Sequence, residues 1–157
     1  MNFYCQGRNL LEAGEFFEAE QIFTKGIQEG DIKCHYGILA VNAVQQKDCS
    51  EAVEHMKEVF EEILYMAEQG ETEACFIAGR CFEMGIVVRQ DIERAIVYYE
   101  MAAERNHADA LFNLGCLCMM FGGDKIASAK EYFTKAEFAG SKEAKDALSQ
   151  MKKDGFI

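Results

Sequence analysis

The chain contains no proline. Proline breaks helix interiors, so its absence suits a protein built almost wholly of helix. No apolar run approaches the roughly 18 residues that a membrane span needs, so no transmembrane segment is expected. Residues 1–5 show no basic stretch followed by an apolar one, so no signal peptide is expected either. Positive charge is scarce: 16 basic residues stand against 27 acidic ones, a formal net charge of −11. Phosphate contacts need a dense positive surface, which argues against a nucleic-acid binder. The surplus of carboxylates favours solubility and basic partners. Disulfide spacing is missing too. The seven cysteines are an odd number without a bridging framework, and with no export signal a reducing cytoplasm is the expected compartment.

Half of the residues are hydrophobic in a chain of 157. A chain of this length buries about 70% of its unfolded surface when compact, so a sizeable core is available. One short phrase recurs three times: AEQIFTKGIQEG at 19–30, AIVYYEMAAERN at 95–106 and AKEYFTKAEFAG at 129–140. Each copy opens on Ala, carries an apolar pair (Ile22-Phe23, Tyr98-Tyr99, Tyr132-Phe133), has a small residue at the eighth place and closes on Gly or Asn. Gly30, Gly70, Asn106 and Gly140 fall at intervals of 40, 36 and 34 residues. Gly and Asn tolerate the left-handed backbone that closes a helix. Asp, Glu or Ser close behind such marks suits the exposed amides of a new helix. The fourth residue after each mark (Cys34, Ala74, Ala110, Ala144) is always small, as close helix approach requires.

Recurrence at this period is the mark of stacked helix pairs. The expected fold is an all-α, right-handed solenoid in a single domain, with units at about 1–30, 31–70, 71–106 and 107–140 and a capping helix at 141–153. The predicted pairs are 2–13 with 15–29, 31–46 with 49–69, 71–84 with 91–105, and 107–121 with 124–139. Asp91 and Asp124 are the expected N-caps of the later second helices. Val53, Met56, Phe60, Ile63 and Ala67 form one apolar stripe at helical spacing. The second unit runs 18 residues from Ala52 to Gly70 where its neighbours run 11, about two extra turns. That overhang, with Val59, Phe60 and Ile63, needs cover from the neighbouring helix or from another chain, a partner or a second copy.

The third unit, ACFIAGRCFEMGIVVRQDIERAIVYYEMAAERN from Ala74, resembles the Sel1-like repeat, a longer-looped relative of the tetratricopeptide repeat. The matching places are Ala74, Ala78-Gly79, Phe82, Gly85, Asp91, Ala95, Tyr98-Tyr99 and Ala102-Ala103. The fourth unit matches through Ala110, Leu114-Gly115, Gly122, Asp124, Ala129, Tyr132-Phe133 and Ala136. The first two units diverge, with Leu39 where Gly7 and Gly79 stand. The resemblance implies a protein-binding helical array with roles in assembling complexes or regulating signalling. Some secreted relatives carry a disulfide in every repeat. Here the cysteines do not recur at equivalent places.

No catalytic string accompanies His35, His55 or His107. Cys34-His35, Cys49 and His55, and separately Cys116 and Cys118, are the candidate metal or redox groups, but the doubled ligand pairs of a zinc site are missing. Cys75 aligns with Leu111 and Cys81 with Leu117, so cysteine there replaces a core aliphatic. Gly115 and Gly122-Gly123 lack the Lys and Ser or Thr of a phosphate loop. No enzyme activity, cofactor or metal is therefore expected. An aromatic recurs on the first helix of every unit, at Tyr4, Tyr36, Phe76 and Phe112, with Arg8, Ala40, Arg80 and Cys116 one turn on, then Glu83 and Met120. Aromatics, Arg and Met are favoured at interfaces. These residues, Ala40 excepted, are the candidate partner-binding set. The expected function is a non-enzymatic scaffold or adaptor that binds a peptide or protein domain on its concave helical face. The alternatives are a metal- or redox-responsive cysteine protein, and an oligomeric structural protein joined through the long helix 49–69 by Val59, Phe60 and Ile63.

Overall fold

Left-handed backbone closes each unit where the glycines and Asn106 fall. Gly30, Gly70, Asn106 and Gly140 have φ of 82°, 84°, 58° and 101°. The amide after each one reaches back to close the preceding helix: Asp31 to Gly26 O, Glu71 to Met66 O, His107 to Ala102 O and Ser141 to Ala136 O, at 2.8–3.2 Å. This is the six-to-one bond of a Schellman ending, and it satisfies a carbonyl that the helix leaves unpaired.

A computed structural model describes residues 2–45 and 50–157, with the side chains of 50–53 left aside. Within them lie nine helices and no strand: α1 (Phe3–Glu12), α2 (Phe16–Gln28), α3 (Lys33–Gln45), α4 (Ser50–Glu68), α5 (Thr72–Met84), α6 (Ile92–Ala103), α7 (Ala108–Phe121), α8 (Lys125–Phe138) and α9 (Lys142–Lys153). Each helix packs on the next, and the first helices of neighbouring units also touch, α1 on α3 and α3 on α5. The architecture is an all-α solenoid of four helix pairs followed by α9. Its core runs unbroken from Ala19 to Leu117, and a second cluster gathers Leu111, Phe133 and Met151; Ala103 and Tyr132 pack against both.

What packs the two helices of a unit together is size complementarity. The second aromatic of each recurring pair lies on the glycine of its partner helix. A Cβ on Gly7 would stand 2.4 Å from the Phe23 ring, one on Gly79 2.6 Å from Tyr99, and one on Gly115 2.5 Å from Phe133. Counted from the helix ends, Ile63 holds the aromatic's place in the second unit, opposite Leu39, and both are fully buried. Glycine with aromatic thus becomes leucine with isoleucine, two branched aliphatics in place of one ring on bare backbone. The predicted small positions behave as expected: Cys34, Ala74, Ala110 and Ala144 are all 0% exposed. So do the cysteines that align with leucines, since Cys75 and Cys81 are as buried as Leu111 and Leu117. Burial pushes the Cys81 thiol up to about 12, which leaves it an inert packing group.

Three expectations need correction. Val59, Phe60 and Ile63 are not an overhang. Measured back from Gly70, Val59 holds the place of Ala19 and Ile63 that of Phe23, so the added turns of α4 precede them. All three are buried within the chain, Phe60 edge-on to Phe82 with ring centroids 5.6 Å apart, and they present nothing to a second copy. Asp124 stands at the start of α8, but its side chain makes no capping bond. The tight Gly122-Gly123 turn supplies those amides instead, since Lys125 N bonds Gly122 O and Ile126 N bonds Gly123 O. Asp31 does not cap the helix that follows it; its carboxylate accepts from the Tyr4 amide of the neighbouring unit at 3.3 Å. Asp91 does cap α6, accepting from Arg94 N at 3.0 Å. Cys49 and the Val53 side chain lie outside what is described.

Candidate binding groove on the first-helix face

The first helices α1, α3, α5 and α7 line up side by side, so a residue at one register position recurs along one face. On that face lies a groove of about 870 Å³. The predicted aromatic column forms its floor: Tyr4, Tyr36, Phe76 and Phe112 all line it, as do Arg8 and Arg80. Glu83, Cys116 and Met120 do not. Glu83 accepts the hydroxyl of buried Tyr99 at 2.5 Å, Cys116 is exposed, and Met120 stands 66% exposed at the C-terminal end of α7.

The floor is held from behind. Phe76 stacks on the His107 ring at 4.6 Å and lies 6.0 Å from Tyr99, Tyr4 leans on Phe23 at 6.1 Å, and Phe112 on Phe133 at 5.6 Å. Each aromatic is therefore half in the repeat core and half in the groove. Arg80 donates to the Tyr36 hydroxyl at 3.1 Å and to the Met84 sulfur at 3.3 Å, with its guanidinium 5.5 Å from the Tyr36 ring centre. Burial alone would lower its basicity. The neighbouring phenols of Tyr36 and Tyr99 and the Glu83 carboxylate outweigh that and raise it, so Arg80 is a fixed cation in the groove wall.

The sequence pattern did not reveal the opposite edge. Lys33, Glu73, Asp109 and Glu143 each stand three residues after a unit mark, and all four line the groove. The register would have shown this column, but charged residues on helix exteriors looked generic. Glu73 is its anchor, 3.4 Å from Lys33 Nζ and 3.3 Å from His107 Nε2. His107 Nδ1 accepts from Ala110 N and so caps α7; the ring proton then sits on Nε2 and is donated to Glu73. One histidine closes the α7 terminus, stacks on the groove floor and holds a carboxylate of the preceding unit. His35 is buried, with Nε2 3.3 Å from Glu62, and His55 is exposed. Among the described residues no three His, Cys, Asp or Glu side chains gather as a metal site, and the six described cysteines are free thiols.

Burial alone would raise the Glu73 carboxyl, but the bonds from His107 and Lys33 and their charges hold it below the usual value of 4.5. A carboxyl depressed in the folded state contributes stability above its unfolded value and loses it as pH falls through the folded one. Glu73→Gln should therefore cost about 1 kcal/mol at pH 7. The gap to the parent should close between roughly pH 5 and pH 3. Urea midpoints at several pH values would check this, and a gap that persists at pH 3 would refute the ion-pair account.

Parallel first helices with their partner helices packed behind them are the arrangement of a helical-repeat array. The Sel1 repeat model matches residues 72–107 and 108–137, which coincide with the third and fourth units. Solved structures agree over nearly the whole chain. A Sel1 repeat protein from Oxalobacter formigenes aligns at a TM-score of 0.59 and 21% identity, over 96% of this chain and 59% of that one. A protective antigen of uropathogenic Escherichia coli with an SLR fold aligns at 0.57 and 16%, over 97% and 36%. This chain thus spans well under two thirds of either relative, and the likeness is one of fold. No curated protein matches its sequence. Among the described residues no helix is long and apolar enough to cross a membrane.

Proposed function

We propose that this chain is a non-enzymatic scaffold or adaptor that receives a peptide or a protein domain in the groove of its first-helix face. One observation carries the reading: six of the nine residues singled out from the register, Tyr4, Arg8, Tyr36, Phe76, Arg80 and Phe112, line a single groove. Their backbones sit on packed helices and the aromatics are braced from behind, so little entropy is lost when a partner docks. The net charge of −11 speeds encounters with partners that are basic overall. Free thiols throughout the described chain fit a reducing compartment, and the cytoplasm is the proposed location.

The test is comparative capture. The parent chain, a Tyr36→Ala/Arg80→Ala variant and a control altered on the second helices (Phe17→Ser/Val97→Ser, at residues 66% and 55% exposed) would be immobilised and challenged with lysate. Proteins held by the parent and control, and weakened at least tenfold by the groove variant, support the reading. Retention by the groove variant and loss with the control would move the binding surface to the second helices.

A further inference from the structure

The charges in the groove are sorted along its length. Arg8 on α1, in an exposed pair with Glu12, and Arg80 on α5 line the groove toward one end beside the phenols of Tyr4 and Tyr36, with one carboxylate there, Asp31, already accepting from the Tyr4 amide; Asp109 on α7 and Glu143 on α9 line the other end. Between them the pairing of Lys33 with Glu73 at 3.4 Å cancels one charge of each sign. The cationic end has unspent donor capacity, because Arg80 Nε is buried without a hydrogen-bond partner among the described residues. A buried guanidinium N–H without an acceptor is unfavourable, and a docked carboxylate would satisfy it with a charge-assisted bond once Arg80 turns toward it. At the anionic end Asp109 and Glu143 sit in the first turns of their helices, where the exposed amides favour ionised carboxylates.

We infer that the groove takes an extended segment of a partner protein carrying both signs of charge in a fixed order. An acidic side chain lies against Arg8 and Arg80, apolar side chains lie on Tyr36, Phe76 and Phe112, and a basic side chain lies against Asp109 and Glu143. The inference rests on the groove being the protein-binding surface. Net charge alone would select a uniformly basic ligand. The sorted charges select order instead, and order fixes the direction in which the segment lies. The four steps α1–α3–α5–α7–α9, about 8–10 Å each, cover roughly 35 Å, the reach of about eleven extended residues.

Four fluorescein-labelled dodecapeptides with the same four leucines would test this by anisotropy at 150 mM salt. One carries Glu in its first half and Lys in its second, one the reverse, one only Lys and one only Glu. The two mixed peptides, lying in opposite directions, are each expected to bind at least tenfold tighter than the all-Lys and all-Glu ones. Arg8→Glu/Arg80→Glu should abolish that preference and favour the all-Lys peptide. Reversal at Arg80 disturbs its contact with Tyr36, so Asp109→Lys/Glu143→Lys, at two exposed first-turn sites, is the second variant; it should shift preference to the all-Glu peptide. Circular dichroism melts would confirm folding of both. The charge-order inference falls if the all-Lys peptide binds the parent as tightly as either mixed one, or if the variants keep the parent's preference. If such uniform binding is lost in Tyr36→Ala/Arg80→Ala, the groove reading survives that failure. If none of the four peptides binds, both readings fall.

Discussion

Gly37→Ala should destabilise the chain by about 3 kcal/mol, at the upper end of what one added methyl does in a packed core. The Phe23 ring explains the size. A Cβ at Gly37 on α3 would stand 2.4 Å from two of its ring carbons, and a Cβ at Gly7 on α1 would stand equally close. Phe23 is only 1% exposed, so a ring pushed off α3 moves into α1. Overpacking can then be relieved only by separating the first unit from the second. Gly30→Ala is the control, because nothing lies within 4 Å of its Cβ direction; its φ of +82° leaves backbone strain alone, about 1–2 kcal/mol. Adding Phe23→Leu to Gly37→Ala should recover part of the loss, giving a double-mutant coupling above about 1 kcal/mol. Stability here is a sum over neighbouring units, so hydrogen exchange should show lost protection in α1 to α3 with α7 to α9 unchanged. A Gly37→Ala variant that melts with the parent would show that Phe23 has room to move.

The same packing shows what the sequence made legible. A left-handed helix ending demands Gly or Asn, so Gly30, Gly70, Asn106 and Gly140 were read at once, and the helix bounds with them. Close approach demands small residues, so Cys34, Ala74, Ala110 and Ala144 were legible too. The aromatic floor of the groove emerged because one register position repeats. Residues whose role is set by a partner on another unit were hidden. Spacing within a helix says which face Asp31 occupies, not that the Tyr4 amide of α1 lies against it. His107 looked like an ordinary residue after a helix end, yet it joins Phe76, Glu73 and the α7 terminus. The second unit lacks the alanine that opens the recurring phrase elsewhere. Val59 fills that alanine's place, and only the helix end shows it.

The replacement with the largest consequence at the centre of the array is Tyr99→Ala, expected to cost about 4 kcal/mol. Tyr99 is 0% exposed and lies against the bare backbone at Gly79, so truncation leaves a cavity that rigid neighbouring helices cannot close. Its hydroxyl adds a link between units, donating to Glu83 at the end of α5 and accepting from Asn113 Nδ2 on α7 at 3.1 Å. Burial, reinforced by Glu83, raises the phenol far above its ordinary value, so it remains a donor at every accessible pH. Asn113 holds the register place that Gly37 holds two units earlier. Where Phe23 has no polar tip the facing residue is glycine, and where Tyr99 has one the facing residue is an amide. Tyr99→Phe keeps the ring and strands two groups, both only half-buried and so free to turn to water, at a cost of about 1 kcal/mol. Urea unfolding of both variants separates packing from hydrogen bonding. A loss in Tyr99→Phe equal to that in Tyr99→Ala would mean that the hydroxyl network, not the ring on glycine, accounts for the stability that Tyr99 supplies. Asn113→Ala should then reproduce that loss, whereas on the packing account it should cost no more than Tyr99→Phe does.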